Sequence, residues 1–210
     1  MTPNLNEEIK LYHAGHMHIA GIDEAGRGAW AGPVCAAAVV LPLDQIDLQE
    51  TLTGVRDSKC LTPATREHLL ATIQTIAWDI GVGWASAQEV NTLGIVKATR
   101  QAMIRALDEL QTPVTALILD YMRLPTIDLP QRAFPKADDT CLSVAAASIV
   151  AKVSRDQLMV TLDRQFPGYG LAQHKGYGTR QHHRALHQLG PCPIHRTSWR
   201  PFRKIEGGPS

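Results

Sequence analysis

Two neighbouring carboxylates, Asp23 and Glu24, end an apolar run and are followed at once by the turn Gly26-Arg27-Gly28. Adjacent carboxylates repel, so folding them together calls for a neutralising cation or proton, and hard oxygen ligands of this kind suit Mg²⁺ or Mn²⁺. Glycines beside them leave backbone N–H groups free to hold an anion at close range. The grouping points to a metal-dependent reaction at a phosphate. Two more acids stand in comparable places. Asp120 closes the apolar run 114–119, and Asp138 lies between a short strand-like stretch, 132–136, and a long helical pattern. A single such aspartate would be an ordinary N-cap or surface residue. Several at strand ends favour a metal site, because α/β folds collect ligand-binding groups there.

The elements that must position these acids follow from periodicity. Stretches 19–23 and 34–41 read as two strands joined by the glycine turn, with 78–84 as a third. Thr62-Pro63 is a helix start, and Leu69, Leu70, Ile73 and Ile76 give that helix an apolar face. Ser86 and Glu89 have capping-box spacing and open helical sequence to about residue 110, with a break at Gly94 and a stop at Pro113. From 142 to 166 the pattern is helical again. Ala145, Ala146, Ala147, Ser148 and Ala151 keep its first turns small, so it can lie close on the sheet that carries the acids. A loop over 168–178 and a helix over 180–189, closed by Gly190-Pro191, complete the chain. The pattern predicts an α/β fold: a mixed sheet flanked by helices, with a mainly helical C-terminal extension. Strand alternation sends Asp23 and Glu24 to opposite faces, so joint access to one metal predicts a bend or bulge there.

The chain of 210 residues suits one domain, or one domain with a helical extension. No stretch reaches the roughly 20 apolar residues that span a bilayer, and the start MTPNLNEEIK lacks a basic-then-apolar signal, so a cytoplasmic protein is expected. Cys35, Cys60, Cys141 and Cys192 are widely spaced and read as reduced thiols. A net charge of +1 excludes a wholly basic nucleic-acid binder, yet residues 164–205 hold no acid. Arg164, Lys175, Arg180, Arg184, Arg196, Arg200, Arg203 and Lys204 all fall in that block, which is either a solvated surface or a phosphate-contacting platform. His183 and His187 have zinc-like spacing, and His13, His16 and His18 cluster, but no cysteine or acid completes either set; they read as surface or structural.

The ordered motifs are more specific than any one of them. Gly-Ile-Asp-Glu-Ala-Gly-Arg-Gly at 21–28, Asp57-Ser58-Lys59, the strand closing on Asp120, Lys136-Ala137-Asp138, the 145–152 segment ending in Lys152, His174-Lys175-Gly176-Tyr177-Gly178-Thr179 and His195-Arg196-Thr197-Ser198-Trp199 follow in sequence. From about residue 19 to about residue 200 the chain resembles the type 2 ribonucleases H, the ribonuclease HII family. The resemblance implies a ribonuclease H-like catalytic domain over 19–165 and a basic, helical substrate-binding extension over 166–205. It implies endonucleolytic cleavage of the RNA strand of RNA–DNA hybrids, and nicking 5′ to single ribonucleotides embedded in duplex DNA, leaving a 5′-phosphate and a 3′-hydroxyl. Asp23, Glu24, Asp120 and Asp138 take the places of the family's four metal-binding acids, holding two divalent ions, Mg²⁺ or Mn²⁺. Backbone groups of Gly26, Arg27 and Gly28 are expected to read the ribose 2′-hydroxyl, and Tyr177 to pack on the sugar of the following deoxynucleotide. Lys59, Ser148, Lys152, Lys175 and Arg196 fall in motif positions as further substrate contacts. The expected partner is nucleic acid; no membrane is involved, and a monomer is the default.

The chain also departs from that pattern. Tyr121 stands where glycine usually follows the third acid, and Ala137 replaces the glycine of Lys-Gly-Asp, so a left-handed backbone at either position would be strained. Asp139 competes with Asp138 as the fourth ligand, with the motif alignment favouring Asp138. Asn91 and Gly94 replace a usual acid and asparagine, which weakens one expected phosphate contact. The short stretch before residue 19 leaves no room for the extra N-terminal domain of type 3 enzymes. Two other readings stay open: a metal phosphohydrolase acting on a small ester, and a hybrid-binding protein that does not cleave.

Overall fold

The computed structural model describes residues 2–199 and 202. Arg200, Arg203 and Lys204 of the basic block lie outside the described residues. In chain order the elements are α1 (Asn6–His13), β1 (Ile19–Ala25), β2 (Val34–Val40), a short α2 (Leu48–Thr51), α3 (Pro63–Ile76) and β3 (Asp79–Ala85). They continue with α4 (Ala87–Leu93), α5 (Ile95–Asp108), β4 (Ala116–Asp120), β5 (Gln131–Phe134), α6 (Leu142–Gln165), α7 (Leu171–His174) and α8 (Arg180–Leu189). The strands form one mixed sheet in the order β3-β2-β1-β4-β5, antiparallel across β1, β2 and β3, and parallel across β1, β4 and β5.

Every residue of β2 is buried, because α6 lies on one face of the sheet and α5 on the other. Ala37 and Val39 pack toward Ala146 and Ile149 of α6, whereas Ala36, Ala38 and Val40 pack in the layer of Ala98, Ala102 and Ala106 of α5. Small side chains on both partners let the helices sit close. Gly21 sets the limit of that approach: a Cβ there would collide with Ser143 in the first turn of α6. The expected helix starts are formed. Thr62 Oγ1 accepts from Thr65 N at 3.2 Å, and Ser86 and Glu89 make the reciprocal capping box at 3.1 and 2.8 Å. The break at Gly94, at φ 77°, separates α4 from α5.

Sequence periodicity does not predict α1, because eight residues with Ile9, Leu11 and Tyr12 are too few to show an apolar period. Tertiary contact forms it. Cys141 gives α6 no side-chain cap, and Glu8 supplies one from far away in sequence: its Oε1 accepts from Ser143 N at 2.9 Å and from Ser143 Oγ at 2.7 Å. Asn4 joins the same junction, with Leu142 N donating to Asn4 O at 2.9 Å. Glu8 is fully buried, and burial above all raises its carboxyl above the ordinary range, so the charge is disfavoured while the acceptor is needed. Glu8→Ala should therefore cost about 1–3 kcal/mol by stranding buried donors. Glu8→Gln, which keeps an acceptor without the charge, should cost less; urea midpoints of the two variants check the order, and equal losses would contradict it.

The C-terminal residues pack on the far end of α6 through an apolar cluster of their own, in which Met159, Tyr169, Leu171, Leu186 and Phe202 meet Ala31 and Trp30. A bridge from Ala31 to His195 ties this part to the glycine turn. Among the described residues no helix is long and apolar enough to cross a membrane.

Candidate active site

The parallel register of β1 and β4 ends with Ile22 beside Leu119, so the next residues, Asp23 and Asp120, stand side by side on the α6 face of the sheet. β1 pairs with β2 without interruption through Glu24 and Ala25, so the bulge expected at the two acids is not formed. The chain bends one step later, at Gly26, with φ 88°. Asp23 and Glu24 still line one cavity, of about 490 Å³, at the ends of β1 and β4. Asp120, Gly26, Arg27, Gly28, Ser58, Lys59, Lys152 and Tyr177 line it as well. Asp138 stands at its margin, only 5% exposed, with Lys59 Nζ 3.6 Å from its Oδ2.

The acids repel as their placement requires. Burial, then the charge of Glu24, push the Asp23 carboxyl well above the usual range, and Asp120 adds to the effect. Burial also raises Glu24, against the opposing pull of Arg27, whose Nη1 lies 3.2 Å from Glu24 Oε1. Asp138 is raised by burial and by Asp120, with Lys59 acting the other way. Burial pulls the Lys59 ammonium down, and the charges of Asp57, Asp23, Asp138 and Asp120 more than reverse it. Asp120 is held by its Oδ1, which accepts from Ala137 N at 3.0 Å. Asp138, not Asp139, faces Asp120 and Lys59.

The donor set suits a hard divalent cation: acid oxygens, mutual repulsion that a cation would relieve, and one buried oxygen, Glu24 Oε2, with no partner. Among the described residues no three His, Cys, Asp or Glu side chains are already drawn together as a metal cage. Arg27 pairs with Glu24, and Lys59 with Asp57 and Asp138, instead.

Several residues singled out from sequence lie elsewhere or face inward. Ser148 is buried; its hydroxyl is 2.9 Å from Ser58 Oγ and acts to lower the Asp23 carboxyl against the effect of burial, so it supports the acid and has no free face for phosphate. Arg196 is fully buried, with Nη1 donating to Arg27 O at 2.7 Å and Nε and Nη2 donating to Gly32 O at 3.1 and 2.9 Å. Its donors are spent on the glycine turn, which removes it from the phosphate contacts. Lys175 turns its Nζ to Ala172 O and borders a separate cavity with Arg66 and Asp156. Lys59 and Lys152 do line the acid cavity, and Lys152 Nζ lies 5.8 Å from the Tyr177 ring centre.

The two glycines of the turn differ in kind. A Cβ on Gly26 would run into the Arg155 guanidinium, on a backbone that side chains rarely adopt. Gly28 is open: its nearest neighbour would be Tyr177 Cε1 at 4.0 Å. Tyr121 does take the left-handed backbone, at φ 61°, which costs about 1–2 kcal/mol for a residue with a side chain. Ala137 does not; Lys136 carries the positive φ, of 62°, in its place. Asn91 ties the C-terminal segment, with its Oδ1 accepting from Ser198 N at 3.1 Å.

Arg155 was missed from sequence. It is fully buried, and Nε, Nη1 and Nη2 donate to Pro33 O, Lys175 O and Ala31 O at 2.9, 2.9 and 3.1 Å. The available signal was a charge on the small-residue face of α6, seven positions after Ser148.

A mixed sheet in this order, with acids from adjoining parallel strands meeting at one end, defines a nuclease of the ribonuclease H class. The ribonuclease HII family model matches residues 20–201. Ribonuclease HII of Chloroflexus aurantiacus is 53% identical over 96% of this chain and 95% of its own length, and that of Chloroflexus aggregans is 51% identical over 98% and 97%. The crystal structure of ribonuclease H2 from Pyrococcus horikoshii OT3 superposes with a TM-score of 0.76 at 29% identity, covering 90% of this chain and 97% of that one. The chain belongs to the ribonuclease HII family, and is a ribonuclease H hydrolase.

Proposed function

We propose that the protein cuts the RNA strand of RNA–DNA hybrids and nicks duplex DNA on the 5′ side of a single embedded ribonucleotide, leaving a 5′-phosphate and a 3′-hydroxyl. Asp23, Glu24, Asp120 and Asp138 would hold two divalent ions, Mg²⁺ or Mn²⁺. Bound there, such ions would supply an activated water and charge neutralisation at the leaving 3′-oxygen. The observation that carries the reading is the row of repelling, buried carboxylates at the ends of β1 and β4, with one oxygen of Glu24 left unpartnered.

Residues 19–165 act as the catalytic unit and 166–205 as the nucleic-acid platform; the exposed Arg180 and Arg184 of α8 support that division. Lys59 and Lys152, which both line the cavity, hold the backbone of the scissile strand, Lys152 on release from Asp156 Oδ1, to which its Nζ donates at 2.8 Å. Gly26, Arg27 and Gly28 present main-chain groups to the 2′-hydroxyl, and Tyr177 faces Gly28 across the cavity to pack on the next sugar.

A labelled duplex with one ribonucleotide tests the reading. Nicking 5′ to the ribonucleotide with Mg²⁺ or Mn²⁺, and none after chelation, is expected. Binding without nicking would identify a hybrid-binding protein, and turnover of small esters alone a phosphohydrolase. Because Gly28 has room, Gly28→Val should leave stability within about 0.5 kcal/mol of the parent. Its nicking of that substrate should still fall sharply, since the added methyls would occupy the place of the ribose. Unchanged kinetics would remove the 2′-hydroxyl reader from this turn.

A further inference from the structure

The loop that carries Tyr177 is held by a line of three imidazoles that no step of the proposed chemistry uses. His182 and His195 are buried at 0% and 1% exposure, with their Nε2 atoms 3.0 Å apart. The direction of this bond is fixed from the His182 end. There His182 Nδ1 lies 3.0 Å from the Tyr177 carbonyl, which can only accept, so Nδ1 carries the proton and Nε2 is bare. His195 Nε2 must then be the donor between the two rings, which leaves His195 Nδ1 as an acceptor. The Cys192 N–H points at that Nδ1 at 2.9 Å, closer than Cys192 Sγ at 3.1 Å or Cys192 O at 3.2 Å, and the carbonyl already accepts from His195 N at 2.9 Å. Thus His195 Nε2–H donates to His182 Nε2, and His182 Nδ1–H donates to Tyr177 O. His174 lies stacked on His182, ring centres 4.5 Å apart, and its Nδ1 accepts from Gly176 N at 3.2 Å. Imidazoles thus grip the backbone on both sides of Tyr177.

We infer that His182 and His195 are positioning residues that set the height and tilt of Tyr177 over the cavity, and through it the preference for an RNA-to-DNA junction. The inference rests on the proposed reading of Tyr177. A neutral relay is needed, because a proton on His182 Nε2 would oppose the one on His195 Nε2. Burial favours that state, pushing the His182 imidazole down to about 4 and His195 in the same direction. Tyr177 O has one further partner, Thr179 N at 2.8 Å, so losing His182 would loosen the peptide without releasing the loop.

The test compares His182→Phe, which keeps a ring in the stack but no hydrogen bond, with His182→Asn, whose side-chain amide can still donate to Tyr177 O. On the single-ribonucleotide duplex His182→Phe should lose about ten- to a hundred-fold in kcat/KM, the scale of a small misplacement. On a continuous hybrid the loss should be much smaller, and His182→Asn should recover most of the difference. Equal loss on both substrates, or no recovery by asparagine, would overturn the inference. Should His182→Phe not fold, imidazole ¹⁵N shifts of the parent protein decide: His182 in the Nδ1–H form and His195 in the Nε2–H form are expected, and either opposite form refutes the relay. Parent protein and Tyr177→Ala serve as controls. If the parent shows no junction preference, or Tyr177→Ala keeps it, the reading of Tyr177 fails; if Tyr177→Ala loses it and His182→Phe matches the parent, only the relay fails.

Discussion

Asp23→Asn is expected to abolish cleavage and, without divalent metal, to raise the unfolding midpoint of the same protein. Loss of one carboxylate removes charge that the metals need, and a drop of about 10³-fold or more corresponds to some 4 kcal/mol at the transition state. The stability change has the opposite sign. Burial and Glu24 raise the Asp23 carboxyl in the fold, so its ionised form costs stability at pH above that raised value. The cost fades as pH falls through the folded pKa and the group takes up a proton. The amide should therefore gain about 1–3 kcal/mol near neutral pH and progressively less in acid. Added Mg²⁺ should reverse the order, because binding stabilises only the parent. Hybrid affinity should survive, since Lys59 and Lys152 remain, and Asp120→Asn should lose cleavage in the same way. Turnover by both variants would contradict the metal assignment. Melting curves with and without Mg²⁺, at two pH values, test the rest.

Arg155→Met should produce the largest loss of stability of any single change outside the apolar core. Its guanidinium satisfies Pro33 O, Lys175 O and Ala31 O from the middle of α6, and all three acceptors would be stranded. A cost of about 3–5 kcal/mol is expected, the range for breaking a buried charged contact. Activity should fall on both substrates, because the same group underlies Gly26 of the turn and the Lys175 end of the Tyr177 loop. Arg155→Lys should rescue little, since one ammonium cannot reproduce a planar fork directed at three carbonyls. A urea midpoint within about 1 kcal/mol of the parent would contradict this account.

Much of the fold was legible because it is encoded locally. The apolar runs of β1, β2 and β4, the Thr62 and Ser86 caps and the small-residue face of α6 each leave a periodic or short-range signal, and the strands and helices formed within a few residues of the expected bounds. The acids at the ends of β1 and β4 were legible for the same reason. α1 was not, because a helix of eight residues held by Glu8 against Ser143 is too short to show a period.

Sequence alone determined which chemistry was on offer: two carboxylates before a Gly-Arg-Gly turn, further acids at later strand ends, and a set of motifs whose order resembles one family. Only the tertiary structure decided which cations face the cavity and which are consumed beneath it. Arg27 and Lys152 reach the cavity; Arg155 and Arg196 are buried against carbonyls, and His182 and His195 against each other. The reason is physical. Whether a charged side chain meets solvent or a carbonyl depends on backbone brought from more than a hundred residues away, as between Arg196 and Arg27, and such a contact leaves no trace in composition or period.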